Sequence, residues 1–429
     1  MQLTNSLTRR KEALPPPPGR IRMYFCGPTV YQRIHVGNAR PYVVSLWLRN
    51  WLAEQGYEVT LVENVTDVND KIYDAARAQG IPSAELAADA TRWYTEDTDA
   101  LGLGRPDHEP LASETIPEIV ALIEELVERG LAYESQGDVY FRVARYQAYG
   151  ELSGAKLEDM VAQEPSDLKE DERDFALWKA TKPGEDTSWD SPWGRGRPGW
   201  HIECSAMAEK LLGPEFEIHG GGLDLRFPHH ENELAQSRGA GRGFARIWMH
   251  NGMLELSAEK MSKSLGNIVS LREALETWGR EAVLVFFLSG HYRSPLEWSD
   301  EALESARTQA EDFRTAFRVA ERSGEAVPSW DEFAAALDDD LSTPLALSIL
   351  HAWRSAGELD LLRRGLAIVG LGVEEAGEAP AEVVRLAEER QKARMARDFA
   401  LADDLRAEIE RAGWEVQDVA GGFRLVPRA

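Results

Sequence analysis

A chain of 429 residues with 43% hydrophobic content has room for two or three domains, because single cores rarely grow past ~250–300 residues. Its formal charge of −25 argues against a nonspecific polyanion binder, although a local basic face for a specific RNA remains open. Two cysteines are too few for a disulfide framework, and the sequence has no leader pattern in residues 1–10 and no apolar run of ~18 residues, so a soluble cytoplasmic protein without a membrane or DNA partner is expected.

After a Pro-rich lead at Pro15–Pro18, the apolar segment Ile21–Phe25, the helix-like run Ala39–Glu54 and the apolar segment Tyr57–Val62 have βαβ spacing, which predicts a parallel sheet. Between strand and helix lies His35-Val36-Gly37-Asn38. Backbone N–H groups and the helix dipole at such a junction receive phosphate, Gly37 lets the backbone approach a ligand, and His35 can donate to a phosphate oxygen that gains charge. The stretch 64–72 reads as a second loop at the carboxyl ends of the strands.

Helical runs follow at 84–99 and 116–128, and the Gly-, Pro-, Ser- and Trp-rich stretch Gly137–Pro198 reads as an insertion. Strand-like segments at Phe216–His219 and Ile247–His250 resume the α/β pattern, and Ala282–Leu288 reads as a buried strand or helix. Lys260-Met261-Ser262-Lys263-Ser264 supplies two ammonium groups suited to a leaving pyrophosphate. From Ser299 the pattern is helical, over 301–321, 330–337, 344–356, 361–369 and 382–412, which predicts a bundle, and residues 414–426 read as a small hairpin.

His229 and Glu233 stand four residues apart and would share one helix face. With Cys26 and Cys204 they make a donor set of two thiolates, an imidazole and a carboxylate, which suits Zn²⁺; read alone, His229 and Glu233 are better explained as a helix cap and a solvated carboxylate. Arg390, Arg394 and Arg397 would share a face of the last long helix, either toward RNA or in ion pairs with Glu389, Asp398 and their neighbours.

The His35–Asn38 and Lys260–Ser264 motifs resemble the HIGH and KMSKS signatures of class I aminoacyl-tRNA synthetases. Residues 25–31, 199–207, 219–224 and 227–233 narrow the resemblance to the cysteinyl family, and the likeness runs from Leu7 to the C-terminus. It implies a Rossmann-type catalytic domain split by a connective insertion (1–136, 137–198, 199–298), a helical anticodon-binding bundle (299–412) and a small tail (413–429). It further implies a monomer that uses ATP with Mg²⁺, L-cysteine and tRNA(Cys), with one Zn²⁺ on Cys26, Cys204, His229 and Glu233 selecting the substrate thiolate and no editing domain.

By the same resemblance His35, Lys260 and Lys263 are catalytic, and His35, Gly37, Asn38 and Lys263 bind ATP. Thr29, Tyr31, Trp200 and Asp224 line the substrate site, and Arg293 in the junction 291–295 joins Arg390, Arg394 and Arg397 as a tRNA contact. His201, His219 and His230 either orient the zinc ligands or are ordinary cleft residues. Asn69 stands where the family usually has a carboxylate, Asn38 replaces the second His of the class signature, and the connection 356–361 is short for the bundle. The alternative function is a cysteine ligase for a small aminosugar, whose catalytic domain is similar but which lacks the bundle.

Overall fold

In a computed structural model of the chain, residues 1–156, 158, 160, 165–256, 259–260, 269–319, 326–372, 379–419 and 422–427 are described. The central sheet has the strand order Phe244–Asn251, Glu215–Gly222, Arg20–Phe25, Glu58–Glu63, with every neighbouring pair parallel. Parallel strands are covered on both faces and so read as continuous apolar runs. Met23, Tyr24 and Phe25 are accordingly all buried, as are Ile247, Trp248 and Met249.

The Val36–Glu54 helix connects the Arg20–Phe25 and Glu58–Glu63 strands, and the chain later returns to the other side of Arg20–Phe25 with Glu215–Gly222. The strand order therefore reverses between these two neighbours. Ligands of open α/β sheets bind at the carboxyl ends of the strands at such a reversal, and Cys26 and Asp224 follow those two ends.

The stretch 137–198 contributes three strands of an antiparallel sheet ordered Ala132–Ser135, Asp138–Phe141, Phe175–Ala180, Gly196–Pro198. Residues 282–288 form most of the helix Arg280–Leu288. Every residue of that run is buried, which is why the sequence shows no amphipathic period there.

The helices Asp300–Val319, Trp330–Asp338, Thr343–Ala356 and Leu359–Ile368 share one apolar cluster with the central parallel sheet. Trp51 packs against Trp330 and Phe333, and its indole N–H donates to Asp338 Oδ1 at 3.0 Å. The helix that starts at the phosphate motif thus ends against the bundle.

The continuous helix expected over 382–412 is two helices, Ala381–Met395 and Phe399–Arg411. Arg397 takes a left-handed backbone conformation (φ 61°), and Asp398 caps the second helix by accepting from Leu401 N at 3.2 Å. The common face proposed for Arg390, Arg394 and Arg397 therefore does not exist. The strands Trp414–Val419 and Gly422–Pro427 pair antiparallel beside these helices.

Asp338, Asp339 and Asp340 fasten the bundle to the Val36–Glu54 helix, the N-terminal hairpin and the junction at 291–295. Asp339 pairs with Lys11 at 2.5 Å, and buried Asp340 accepts from Thr4 N at 2.7 Å, from the Thr4 hydroxyl, and from Tyr292 OH at 2.7 Å. Truncation would strand these donors in a buried joint, which costs more than the bonds themselves contribute. Asp340→Ala is expected to destabilise the protein by about 2–4 kcal/mol, read as a lowered unfolding midpoint, with Asp340→Asn costing less because one acceptor remains.

Candidate active site and metal centre

Four buried donors converge at the strand ends: Cys26, Cys204, His229 and Glu233, with ligand atoms all within 4.8 Å of one another. Cys26 directly follows its strand, Cys204 sits in the helix Trp200–Leu212, and His229 lies in the wound turn Arg226–His230 that runs into Glu231–Gly239. Cys26 Sγ lies 3.8 Å from Cys204 Sγ and 3.5 Å from Glu233 Oε1, and His229 Nε2 lies 3.0 Å from the same oxygen.

Burial pushes the Cys26 and Cys204 thiols up and the His229 imidazole down. Without a cation the cysteines stay protonated, while His229 is held in the neutral form that ligation requires. Among the described residues, Glu233 is paired only with histidines and no lysine or arginine reaches it. A fully buried carboxylate beside two thiols is costly unless a cation neutralises it, so this donor set fits a divalent soft-to-borderline metal such as zinc.

The surrounding histidines take distinct places. His219 Nε2 lies 3.7 Å from Cys26 Sγ and 3.1 Å from Glu233 Oε2, which puts it inside the cluster, and Tyr24 stacks on its ring. His201 Nδ1 meets His229 Nδ1 at 2.9 Å, and Trp200 stacks on His229 with centroids 4.3 Å apart. His230 Nδ1 meets His250 Nε2 at 2.9 Å, and His250 Nδ1 reaches the Ser6 hydroxyl at 2.8 Å. Nothing in the sequence marks His250, Tyr24 or Ser6 as site residues, since they belong to no motif.

A cleft of about 440 Å³ reaches the quartet at Cys26 and runs along the strand ends. It is lined by Cys26, Thr29, Tyr31 and Trp200 near the donors, by Asp224 and Met253 on one wall, and by His35, Gly37 and Asn38 at the helix start. The structure thus gathers these sequence-predicted residues into one cavity. Lys263 lies outside the described residues, as does the side chain of Lys260, whose backbone pairs with Glu255 in a short hairpin. Immediately after the Lys260–Ser264 motif the chain returns beside the phosphate motif: Val36 N donates to Val269 O at 3.1 Å, and Leu271 N to Ile34 O at 2.9 Å.

Asn69 caps the helix Asp70–Gln79 by accepting from Lys71 N at 3.1 Å, a role that Asn performs as well as Asp. Among the arginines, Arg293 donates to Thr4 O at 3.2 Å, Arg390 pairs with Asp418 at 2.9 Å, and Arg394 pairs with the same carboxylate.

Glu63 also lines the cleft. Tyr94 OH donates to its Oε1 at 2.9 Å while Oε2 has no hydrogen-bond partner among the described residues, and burial pushes the carboxyl up to about 8. Both states hold the proton well below the ordinary carboxylate value, so there the group leaves stability unchanged. As pH rises toward 8 the unfolded chain releases the proton first, and folded stability falls. Glu63→Gln is expected to flatten this decline, gaining roughly 2–4 kcal/mol at pH 8 relative to pH 5, measured by denaturant unfolding at the two pH values.

The fold and this cleft are those of a class I tRNA synthetase. The family model described as "tRNA synthetases class I (C) catalytic domain" matches residues 14–308. A methionyl-tRNA synthetase of Mycobacterium tuberculosis bound by methionyl-adenylate superposes with a TM-score of 0.60 over 89% of this chain and 96% of that one, at 15% identity. A leucyl enzyme of Agrobacterium radiobacter in complex with tRNA gives 0.59 at 12% identity over 82% and 84%.

Curated relatives are far more similar in sequence. A cysteine–tRNA ligase of Brevibacillus brevis is 44% identical over 99% of both chains, and one of Thioalkalivibrio sulfidiphilus 46% over 98% of both. The chain belongs to the cysteine–tRNA ligase family.

Proposed function

We propose that the protein activates L-cysteine with ATP and transfers the cysteinyl group to tRNA(Cys). The observation that carries this reading is the buried Cys26, Cys204, His229, Glu233 quartet, whose Cys26 lines the same cleft as His35, Gly37 and Asn38. Those four residues would hold zinc, which when bound supplies Lewis-acid capture of a thiolate, chemistry that serine and alanine cannot match. A purely apolar pocket discriminates a methylene or hydroxyl by only ~1–3 kcal/mol.

Trp200, fixed against His229, closes the side-chain pocket, and Thr29, Tyr31 and Asp224 orient the amino acid. The cysteine carboxylate attacks the α-phosphorus in line and expels pyrophosphate; Mg²⁺ entering with ATP would neutralise phosphate charge. His35 donates to the phosphate oxygens as their charge grows, Gly37 and Asn38 present backbone at the helix start, and Lys260 and Lys263 neutralise the leaving group. The 2′-hydroxyl of the terminal adenosine then attacks the carbonyl carbon of the adenylate, the acyl–phosphate bond breaks and AMP leaves. Proximity and charge stabilisation carry the rate.

In this reading residues 1–136 and 199–298 are the catalytic domain, 137–198 the connective insertion, 299–412 the anticodon-binding bundle and 413–429 its tail. The protein acts as a cytoplasmic monomer. Among the described residues no helix is long and apolar enough to cross a membrane. The similarity to cysteine–tRNA ligases across 98–99% of the chain favours tRNA over a small aminosugar as acceptor, since it includes the bundle. Arg293, Arg390, Arg394 and Arg397 are the proposed tRNA contacts, Arg397 from the turn between the last two helices.

Charging of tRNA with labelled cysteine, run beside cysteine-dependent ATP–pyrophosphate exchange, tests the proposal. Both are expected. Exchange without charging would transfer the acceptor role to a small amine, and absence of exchange would overturn the reading.

A further inference from the structure

Arg40 is 1% exposed, and among the described residues no carboxylate accompanies it. Burial alone drags its guanidinium down to about 10. A charge so placed must satisfy its donors elsewhere or destabilise the fold. Its Nη1 donates to Gly252 O at 2.7 Å and more weakly to Met253 O at 3.4 Å, and its Nη2 donates to His291 O at 3.0 Å. A planar fork of donors suits such a set of fixed carbonyls, and a lysine ammonium does not reproduce it.

These acceptors are not equivalent surfaces. Gly252 and Met253 form a wall of the nucleotide cleft, while Arg40 lies in the second turn of the helix whose first turn carries Gly37 and Asn38. His291 begins the junction in which Tyr292 binds Asp340 of the bundle and Arg293 binds Thr4 O. The two carbonyl segments also touch directly. Gly252 N donates to Tyr292 O at 2.8 Å, Leu296 N donates to Met253 O at 3.0 Å, and a Cβ on Gly252 would fall 2.3 Å from Ser294 O.

We propose that Arg40 is a positioning residue for adenylate formation, fixing the Gly252–Met253 wall at one height above His35, Gly37 and Asn38 and locking it to the junction with the helical bundle. It touches no reacting atom and acts through the wall. The proposal rests on the reading of the cleft as the ATP site, but its structural half does not.

Arg40→Met keeps the aliphatic stem and removes the fork; Arg40→Lys keeps the charge. In Arg40→Met, kcat for cysteine-dependent pyrophosphate exchange is expected to fall about 10- to 100-fold. KM for cysteine and the zinc content should stay within a factor of two of the parent, because the quartet makes no use of the arginine, and Arg40→Lys should recover only part of the rate. Amide hydrogen exchange, read on the same proteins, should quicken at Gly252 and Leu296 while the amides of the parallel sheet stay protected.

Unchanged exchange at Gly252 and Leu296 in Arg40→Met, or full activity in that variant, would overturn the proposal. So would full rescue by lysine, which would make charge rather than the fork the operative property. If the methionine variant does not fold, the lysine variant carries both measurements. Should the parent protein show no pyrophosphate exchange at all, the functional reading fails, and the amide data still decide whether Arg40 holds the wall.

Discussion

Removing the metal by chelation is expected to collapse the preference for cysteine over serine while leaving a folded protein that still binds ATP. The parent should contain one zinc per chain and the treated protein none, by atomic absorption. In the stripped form the ratio of kcat/KM for the two amino acids should fall to ~10² or below, which is what a shaped pocket without a thiol-specific partner achieves. Serine differs from cysteine by one atom, and Trp200, Thr29 and Tyr31 offer no group that would reject a hydroxyl strongly. Cys204→Ala should behave like the stripped form and bind zinc at least ~10-fold more weakly, a loss expected when a single ligand is removed. The helix Trp200–Leu212 should survive, because Cys204 is a small buried residue between Glu203 and Ser205 and its loss opens little space. A stripped enzyme that still preferred cysteine as strongly as before would separate selection from the quartet and require a protein contact in its place. Restoration of both zinc content and selectivity by added Zn²⁺ would tie the two together.

The quartet was legible because its members sit in distinctive motifs, although Cys26 and Cys204 are 178 residues apart and no spacing rule joins them. His229 and Glu233 alone carried local information, and only as two of four donors. The depth of the site was not legible. His250, Tyr24, Glu63 and Arg40 are single polar residues inside strands or helices that otherwise read as core, and their partners arrive from segments the sequence does not pair with them. The parallel sheet could be read from its apolar runs, and the helix over 280–288 could not be told from a strand because it is buried all round. The break between the last two helices escaped because neither Gly nor Pro marks it. Its one signal was Asp398, an N-cap residue in the middle of an apparent helix. Arg397 pays no glycine-like signature for its left-handed backbone, and so the arginines seemed to share a face.

Gly37→Ala is expected to lower kcat for pyrophosphate exchange about 10²-fold without changing KM for cysteine or the zinc content. A Cβ on residue 37 would lie 2.9 Å from Cε1 and Nδ1 of His35, closer than a real contact allows. The backbone around His35 cannot yield. His35 O accepts from Asn38 N at 2.9 Å, Val36 N is held by Val269 O, and Ile34 O is held by Leu271 N. Only the imidazole can turn away, and with it goes the donor proposed to meet the phosphate oxygens. His35→Ala should therefore lose a similar factor by direct removal. The double variant separates this route from a direct one. If Gly37 acts only by leaving room for the ring, Gly37→Ala costs nothing further once His35 is alanine, and the two losses are fully non-additive. If the double variant is slower than His35→Ala by the whole factor lost in Gly37→Ala, then residue 37 acts through its own backbone. The close approach of phosphate to the helix start is then the reason this position is glycine.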